Sequence, residues 1–507
     1  MKYTKLPNKY NFLNGKYISN IHIAIILFIL VLTLKSPVLN LPYHSDALSS
    51  YVPTAVWMKD NGFNPFSLGF ANSYGHPPLF FQTLALAFFL FGTKLFVAHL
   101  LIIIFSFLAI FFTYLIGEYL YGKKVGIFAA LFLLFDPLFF AQSGMVQISV
   151  PFTALTMVSV YFALRNKTAF YLFAASCLVL FKEPAIFTIS IITLYKYLEK
   201  DKRWFLYLLP ASLFFFWTFL NKALYGFLLY PGSVGAFGLL DFDSLYYSLS
   251  WVFIANLKSV LTIFIITSVI LFRKVLKEKN VFLFTSLIAF YVLFFAFMTG
   301  AMPFPPRYLL LVFPLYFIMA ARSVDIVFKK YSYAVVIIFL AIFTIFWGGV
   351  IESRNGIKTN MDYVDYVNVN METNMEYVDY INVNIAAISY LENNHQNSKI
   401  LISPESFNEM FTEPLYGYIK NPLKVTYDKN SEFDLIYYIP KPNMSKNMGN
   451  LTEFAYSIGF IQCEDRDPYK FAADSLHYLI HTKNTTLIKK FDYNGKVVEL
   501  RKLDDSR

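Results

Sequence analysis

The sequence predicts a polytopic α-helical membrane protein of about eleven transmembrane helices with a C-terminal extracytoplasmic α/β domain. Three observations predict it. Of 507 residues, 57% are hydrophobic and 15% charged, with 57 Phe and 37 Tyr, a balance foreign to soluble globular chains. Apolar runs long enough to span recur between residues 21 and 351, and the chain turns polar beyond them. Lys and Arg gather in short loops between alternate runs, where they set topology.

The basic stretch 1–20 precedes a first span at 21–39 that lacks an A-x-A-like cleavage site, so it reads as a retained helix and not a signal peptide. Further spans are predicted at 95–118, 125–142, 149–164, 168–183, 184–199, 204–220, 251–272, 281–300, 308–324 and 332–351. Residues 77–92 form an ambiguous piece, and loop charge decides how it lies. If it rests at the interface, the cytoplasmic side collects the four lysines of the N-terminus, Lys123 and Lys124, Arg165 and Lys167, Lys200, Lys202 and Arg203, the cations of 273–279, Arg322, Lys329 and Lys330. If it spans, that bias is lost. The transmembrane domain is therefore 21–351, its first extracytoplasmic loop 40–93, with the N-terminus cytoplasmic and 355–507 outside.

The net charge of +10 is accounted for by those loops, which removes nucleic acid as a partner. Cys177 in an apolar run and Cys463 in the polar tail support neither a disulfide nor a zinc framework. In the tail, NMDYVDYVNVN at 360–370 recurs as NMEYVDYINVN at 374–384, a local duplication too short for a solenoid. IAAISYLENN reads as helix, KILIS and FDLIYYI as strands, and FDYNGKVVEL as a hairpin turning on Asn494-Gly495. No glycine-rich phosphate loop follows either strand. Asn443, Asn450 and Asn484 open N-x-S/T triplets, in keeping with an outside location. The tail is expected to fold apart from catalysis.

On this topology the polar residues at membrane ends converge on the outer face: His44, Asp46 and Asp60 in the first loop, His76 before Pro77-Pro78, Asp136 and Gln147, Lys182 and Glu183, and Arg307 with Tyr308. Each has a plainer reading. Asp46 sits where it could cap a helix from Ala47, Asp136 is a helix-end acid, Arg307 could snorkel, Lys182 could pair with Glu183, and His76 could simply bond locally.

HSD at 44–46, the HPPL corner at 76–79, FKEPA at 181–185 and PFPPRYLLLVFP at 303–314 resemble the GT-C glycosyltransferases of the protein O-mannosyltransferase (dolichyl-phosphate-mannose-protein mannosyltransferase) and aminoarabinose-transferase group. The resemblance covers roughly residues 20–350. It implies a membrane enzyme that moves a sugar from a polyprenyl (dolichyl) phosphate donor to a hydroxyl on protein, lipid or glycan at the outer face. It also implies Asp46 as the catalytic base and Arg307, Lys182 and His76 as ligands of the donor phosphate; His44, Asp60, Asp136, Glu183 and Tyr308 are further active-site candidates by their placement at the outer face. A base and cations suit that chemistry, because the acceptor loses a proton while a phosphate departs. Two positions depart from the pattern: Ala47 follows Asp46 where many relatives have Asp-Glu, and Ser149 stands where relatives carry Asp, which leaves a divalent metal an open question. A transporter or flippase is the alternative that many spans with charges would also suit, although no repeat of the halves is found. An oligosaccharyltransferase is the other, and no WWDxG-type sequence occurs in the tail.

Overall fold

The structure, a computed structural model, describes residues 15–65, 76–226, 228, 242–256, 258–271, 279–297, 305–345, 375–402, 408–428, 431–439, 485–494 and 496–503. The helices are α1 Gly15–Lys35, α2 Val52–Asp60, α3 Leu79–Phe91, α4 Leu95–Tyr121, α5 Lys123–Phe135, α6 Pro137–Gln142, α7 Ser149–Leu164, α8 Thr168–Phe181 and α9 Ala185–Leu198. They continue as α10 Ala211–Tyr225, α11 Phe242–Phe253, α12 Lys258–Leu271, α13 Lys279–Ala296, α14 Phe313–Phe328, α15 Ser332–Ile345 and α16 Glu376–Asn394.

Four helical runs among the described residues are long and apolar enough to cross a membrane: Asn20–Val38, Leu95–Tyr121, Trp204–Leu224 and Pro306–Ile345. The pair Ser244–Phe253 and Lys258–Leu271, bent by 80°, makes a fifth if taken as one span, and five shorter apolar helices accompany them. The protein is a multi-pass membrane protein, but not a set of eleven straight, full-length spans. At about 1.5 Å per residue the 16 residues of α7 reach about 24 Å, short of a ~30 Å hydrocarbon core. The expected span 125–142 breaks at Asp136, because Pro137 can start a helix but not continue one. The expected span 251–272 is straight only from Lys258 onward.

The run Pro306–Ile345 turns at Lys329, φ +47°, and α14 and α15 both pack on α5, where Phe132 meets Phe317, Phe339 and Phe343. Helix α3 has 13 residues, about 20 Å, and packs on α2 and α4. Close packing of α4 on α5 depends on two glycines. A Cβ at Gly117 would lie 2.8 Å from the Gly126 Cα, and one at Gly126 would lie 2.6 Å from the Tyr114 carbonyl oxygen. At the bundle end away from residue 46, charges are paired locally: Lys124 with Asp325 at 2.8 Å and Lys196 with Glu199 at 2.7 Å.

The C-terminal part contains a five-stranded sheet of order β2-β1-β3-β5-β4, from β1 Lys399–Ile402, β2 Lys424–Thr426, β3 Leu435–Tyr438, β4 Thr485–Tyr493 and β5 Lys496–Leu503. β1 runs parallel to β2 and β3, β3 and β4 run antiparallel to β5, and Asn494 turns between β4 and β5 with φ +50°. Helix α16 packs on β4 and β5 and contains the second copy of the duplication from Glu376 onward. The first copy, Gly495, Cys463 and the triplets at Asn443, Asn450 and Asn484 lie outside the described residues.

Candidate active site

The chain leaves α1 through a short turn and crosses the mouth of the bundle as residues 39–46, with Ser45 at φ +56°. A left-handed serine costs about 1 kcal/mol or more, and such strain gathers where geometry matters. Asp46 then opens a single π turn, Ala47–Tyr51, and its side chain makes no capping bond. The plain reading of Asp46 as an N-cap is thus set aside. Pro53 at the start of α2 lacks an N–H, so the ordinary four-residue ladder cannot run through it. A π turn places residues five apart over one another, and the Tyr51 hydroxyl donates to Asp46 Oδ2 at 3.2 Å.

The same carboxylate oxygen accepts from Arg307 Nη2 at 2.8 Å. Arg307 is 6% exposed and Asp46 30%, so the guanidinium is enclosed while the carboxylate keeps an open side. Arg307 lies on a 3-10 helix, Pro306–Val312, that Pro305 introduces in extended conformation. Next to it, the Tyr308 ring takes the Arg307 guanidinium at 5.5 Å and the Lys182 ammonium at 4.1 Å.

Lys182 and Glu183 form the link from α8 to α9, held where the Tyr291 hydroxyl donates to the Pro184 carbonyl at 2.7 Å. His76 Nδ1 approaches both Glu183 oxygens, at 2.9 Å and 3.0 Å. Lys182 therefore faces Tyr308, and Glu183 takes His76 as its partner. Desolvation, reinforced by Arg307 and opposed by Glu183 and Asp46, lowers the Lys182 pKa to about 8. Burial would push Glu183 upward, but His76, a backbone bond and Lys182 outweigh it and leave its pKa lowered. His44 is buried, and desolvation together with Arg307 lowers its pKa to about 4 against the pull of Asp46.

Two expected members are not brought to this group. Asp136 is fully buried, accepts from the Phe139 N–H at 3.0 Å as a true N-cap, and pairs with fully buried Lys258 at 3.0 Å. Its carboxylate is a structural tie between α6 and α12. Asp60 is 58% exposed and lies 3.2 Å from Lys59 at the end of α2. Among the described residues no three His, Cys, Asp or Glu side chains are grouped as metal ligands.

The sequence did not signal Tyr51, whose role follows from a π turn, or Lys258, which partners an acid 122 residues away. Nor did it signal that the tail reaches the first loop. The Tyr418 hydroxyl donates to the Tyr43 carbonyl at 2.9 Å, the Tyr43 N–H donates to the Tyr416 carbonyl at 3.2 Å, and Tyr377 and Tyr380 lie against His44. The tail packs on the loop that carries Asp46.

Residues 75–220 match the family of dolichyl-phosphate-mannose-protein mannosyltransferases. Among solved structures, ArnT from Cupriavidus metallidurans bound to undecaprenyl phosphate superimposes with a TM-score of 0.53 at 12% identity, over 97% of this chain and 99% of that one. Its apo form gives 0.54 at 13% identity, over 96% and 98%. The chain has the GT-C fold. Curated protein sequences give no match. The GT-C likeness spans nearly the entire chain, beyond the 20–350 expected from the motifs, and the family match begins at the HPPL corner.

Proposed function

We propose that the protein is a membrane glycosyltransferase that moves a sugar from a polyprenyl-phosphate donor to a hydroxyl of a protein, lipid or glycan at the extracytoplasmic face. The observation that carries this reading is Asp46: uncapped, open on one side, and bonded to the enclosed Arg307 beside Lys182. In this reading Asp46 takes the acceptor proton as the new glycosidic bond forms. Arg307, which has five N–H donors, reaches the departing phosphate while still holding Asp46 in place. Lys182 adds a second positive charge on the side of Tyr308, and His76, oriented by Glu183, completes the rim.

The family match at 75–220 favours a hexose, and ArnT, solved with undecaprenyl phosphate, supports a polyprenyl carrier. The reading includes a cytoplasmic residue 1, eleven membrane passages within 21–351, a first outer loop at 40–93 and an extracytoplasmic 355–507. Loop charge supports that orientation. The test is to offer membranes containing the protein radiolabelled polyprenyl-phosphate sugars and to separate lipid from protein products. Label transfer that Asp46→Asn abolishes supports the reading. No transfer or donor hydrolysis with any polyprenyl-phosphate sugar removes it.

A further inference from the structure

Helix α9 ends at Leu198, and after residues 199–203 the chain forms a 3-10 helix, Trp204–Leu208, that packs on α8 and α9. Between α9 and this helix lies a groove of about 330 Å³, lined by Ser190, Thr193, Leu194, Tyr197, Trp204 and Leu208. Its walls are fixed from behind. Tyr207 is buried and its carbonyl oxygen accepts from the Tyr171 hydroxyl at 2.9 Å, while Trp204 meets Tyr197 edge-on at 5.4 Å. Leu194, Tyr197, Trp204 and Leu208 are exposed. The two lining hydroxyls are already bonded within α9, Ser190 to the Ile186 carbonyl and Thr193 to that of Ile189, both at 2.8 Å. The groove therefore suits an apolar chain.

One rim of it is cationic. Lys200, Lys202 and Arg203 lie between Tyr197 and Trp204 in sequence, and all three are exposed. Lys196 is not one of this set, being buried and paired with Glu199 at 2.7 Å. Arg203 stands 3.9 Å from Asp201, and among the described residues no carboxylate reaches Lys200 or Lys202. Tyr and Trp at such a rim are the side chains that favour the level of lipid headgroups, and clustered Lys and Arg there attract anionic ones.

An apolar groove ending in exposed cations complements a molecule that is apolar along its length and anionic at one end. We propose that the groove seats an acyl chain of an anionic glycerophospholipid whose phosphate is held by Lys200, Lys202 and Arg203. A second copy of the chain on a twofold axis would bring these same cations together, which disfavours it as the occupant. The donor lipid also carries phosphate, but under the transferase reading that phosphate belongs with Arg307 and Lys182, before the start of α9. Tyr197 is 12 residues beyond Ala185, about 18 Å along the helix. The phospholipid site stands on the membrane fold and is independent of the transferase reading.

The test reads Trp204 fluorescence in the full chain reconstituted in phosphatidylcholine vesicles, with Trp204→Phe subtracting the other four of the five tryptophans. Acyl-brominated phosphatidylglycerol should half-quench Trp204 at a mole fraction about fivefold or more below that of acyl-brominated phosphatidylcholine, the worth of at least one cation near an anionic headgroup. Lys200→Gln, Lys202→Gln and Arg203→Gln together should bring the two lipids within about twofold, and added salt should narrow the gap in the wild type. Equal quenching by both lipids in the wild type, or a preference that survives the triple variant, overturns the site. So does an absence of quenching in protein that sediments as a dimer, which gives the groove to a second copy. Leu194→Trp, which fills the groove, should leave polyprenyl phosphate binding unchanged; a loss of that binding gives the groove to the donor's chain and overturns the proposal without touching the transferase reading.

Discussion

Asp46 and Asp136 both follow apolar helices, yet the fold uses them differently. Asp136 is sealed, with a backbone N–H and the Lys258 ammonium on its oxygens. Asp46 offers nothing to the backbone of its own helix, shares one oxygen between Tyr51 and Arg307, and stays 30% exposed. An acid whose partners all come from the protein serves the fold. An acid with an open side beside an enclosed arginine is arranged for something that arrives. The plain helix-end reading that the sequence allowed for both is met by only one of them.

The largest effect should come from breaking the sealed pair. Asp136→Ala leaves Lys258 charged and buried, at a cost of about 3–5 kcal/mol, and a melting curve of the purified protein should show it. Adding Lys258→Met should recover most of the loss. If Asp136→Ala melts like the wild type but loses turnover, Asp136 belongs with the chemistry and the contrast fails.

Asp46→Asn should do the reverse. It keeps shape and removes the base, so turnover should fall about 100-fold or more while melting changes little. Because Asp46 makes no capping bond, rescue by asparagine is not expected. Next in size is Arg307. Arg307→Lys keeps charge without the planar fork and Arg307→Ala removes both, so affinity for polyprenyl phosphate should drop in that order, by about 1.5–3 kcal/mol for alanine. Unchanged binding in Arg307→Ala would leave the arginine only a holder of Asp46.

Much of this was legible in the chain because composition, loop charge and proline corners are local signals. The first loop, the His76-Pro77-Pro78 corner and Arg307 behind two prolines could be read directly. What could not be read depends on distance or on turn geometry. Asp136 and Asp46 look alike until Lys258 is seen to arrive from a helix bent by 80°. Glu183 adjoins Lys182 in sequence, but the extended backbone at Lys182 sends the two side chains to different partners, Tyr308 and His76. The tail's strands were recognisable, whereas its grip on Tyr43 and His44 crosses more than 300 residues and leaves no periodic trace.

Lys182 sharpens the comparison through pH. With a pKa lowered to about 8 by desolvation and Arg307, it is charged below that value and neutral above it. If it helps hold the departing phosphate, affinity for polyprenyl phosphate should weaken as pH rises from 7 to 9. Lys182→Met should flatten that change, and a wild-type profile that is flat across the range would remove Lys182 from the phosphate site.

The smallest effect is expected at Asp60, the remaining acid of the first loop. It sits at the end of α2, 58% exposed and 3.2 Å from the Lys59 ammonium, which also donates to Thr93 Oγ1 at 3.0 Å. A surface pair of this kind contributes about 0–1 kcal/mol, because water screens both partners and holding them together costs side-chain freedom. Among the described residues nothing enclosed faces Asp60 as Arg307 faces Asp46, so removing its charge should leave the cationic group as it was. Asp60→Ala should therefore melt within about 0.5 kcal/mol of the wild type. Its turnover should stay within about twofold, since a 1.4 kcal/mol change would be needed for tenfold. A tenfold loss of turnover with melting intact would show that exposure and local pairing do not separate the working acid of this loop from the others, and the contrast drawn from Asp46 would lose its basis.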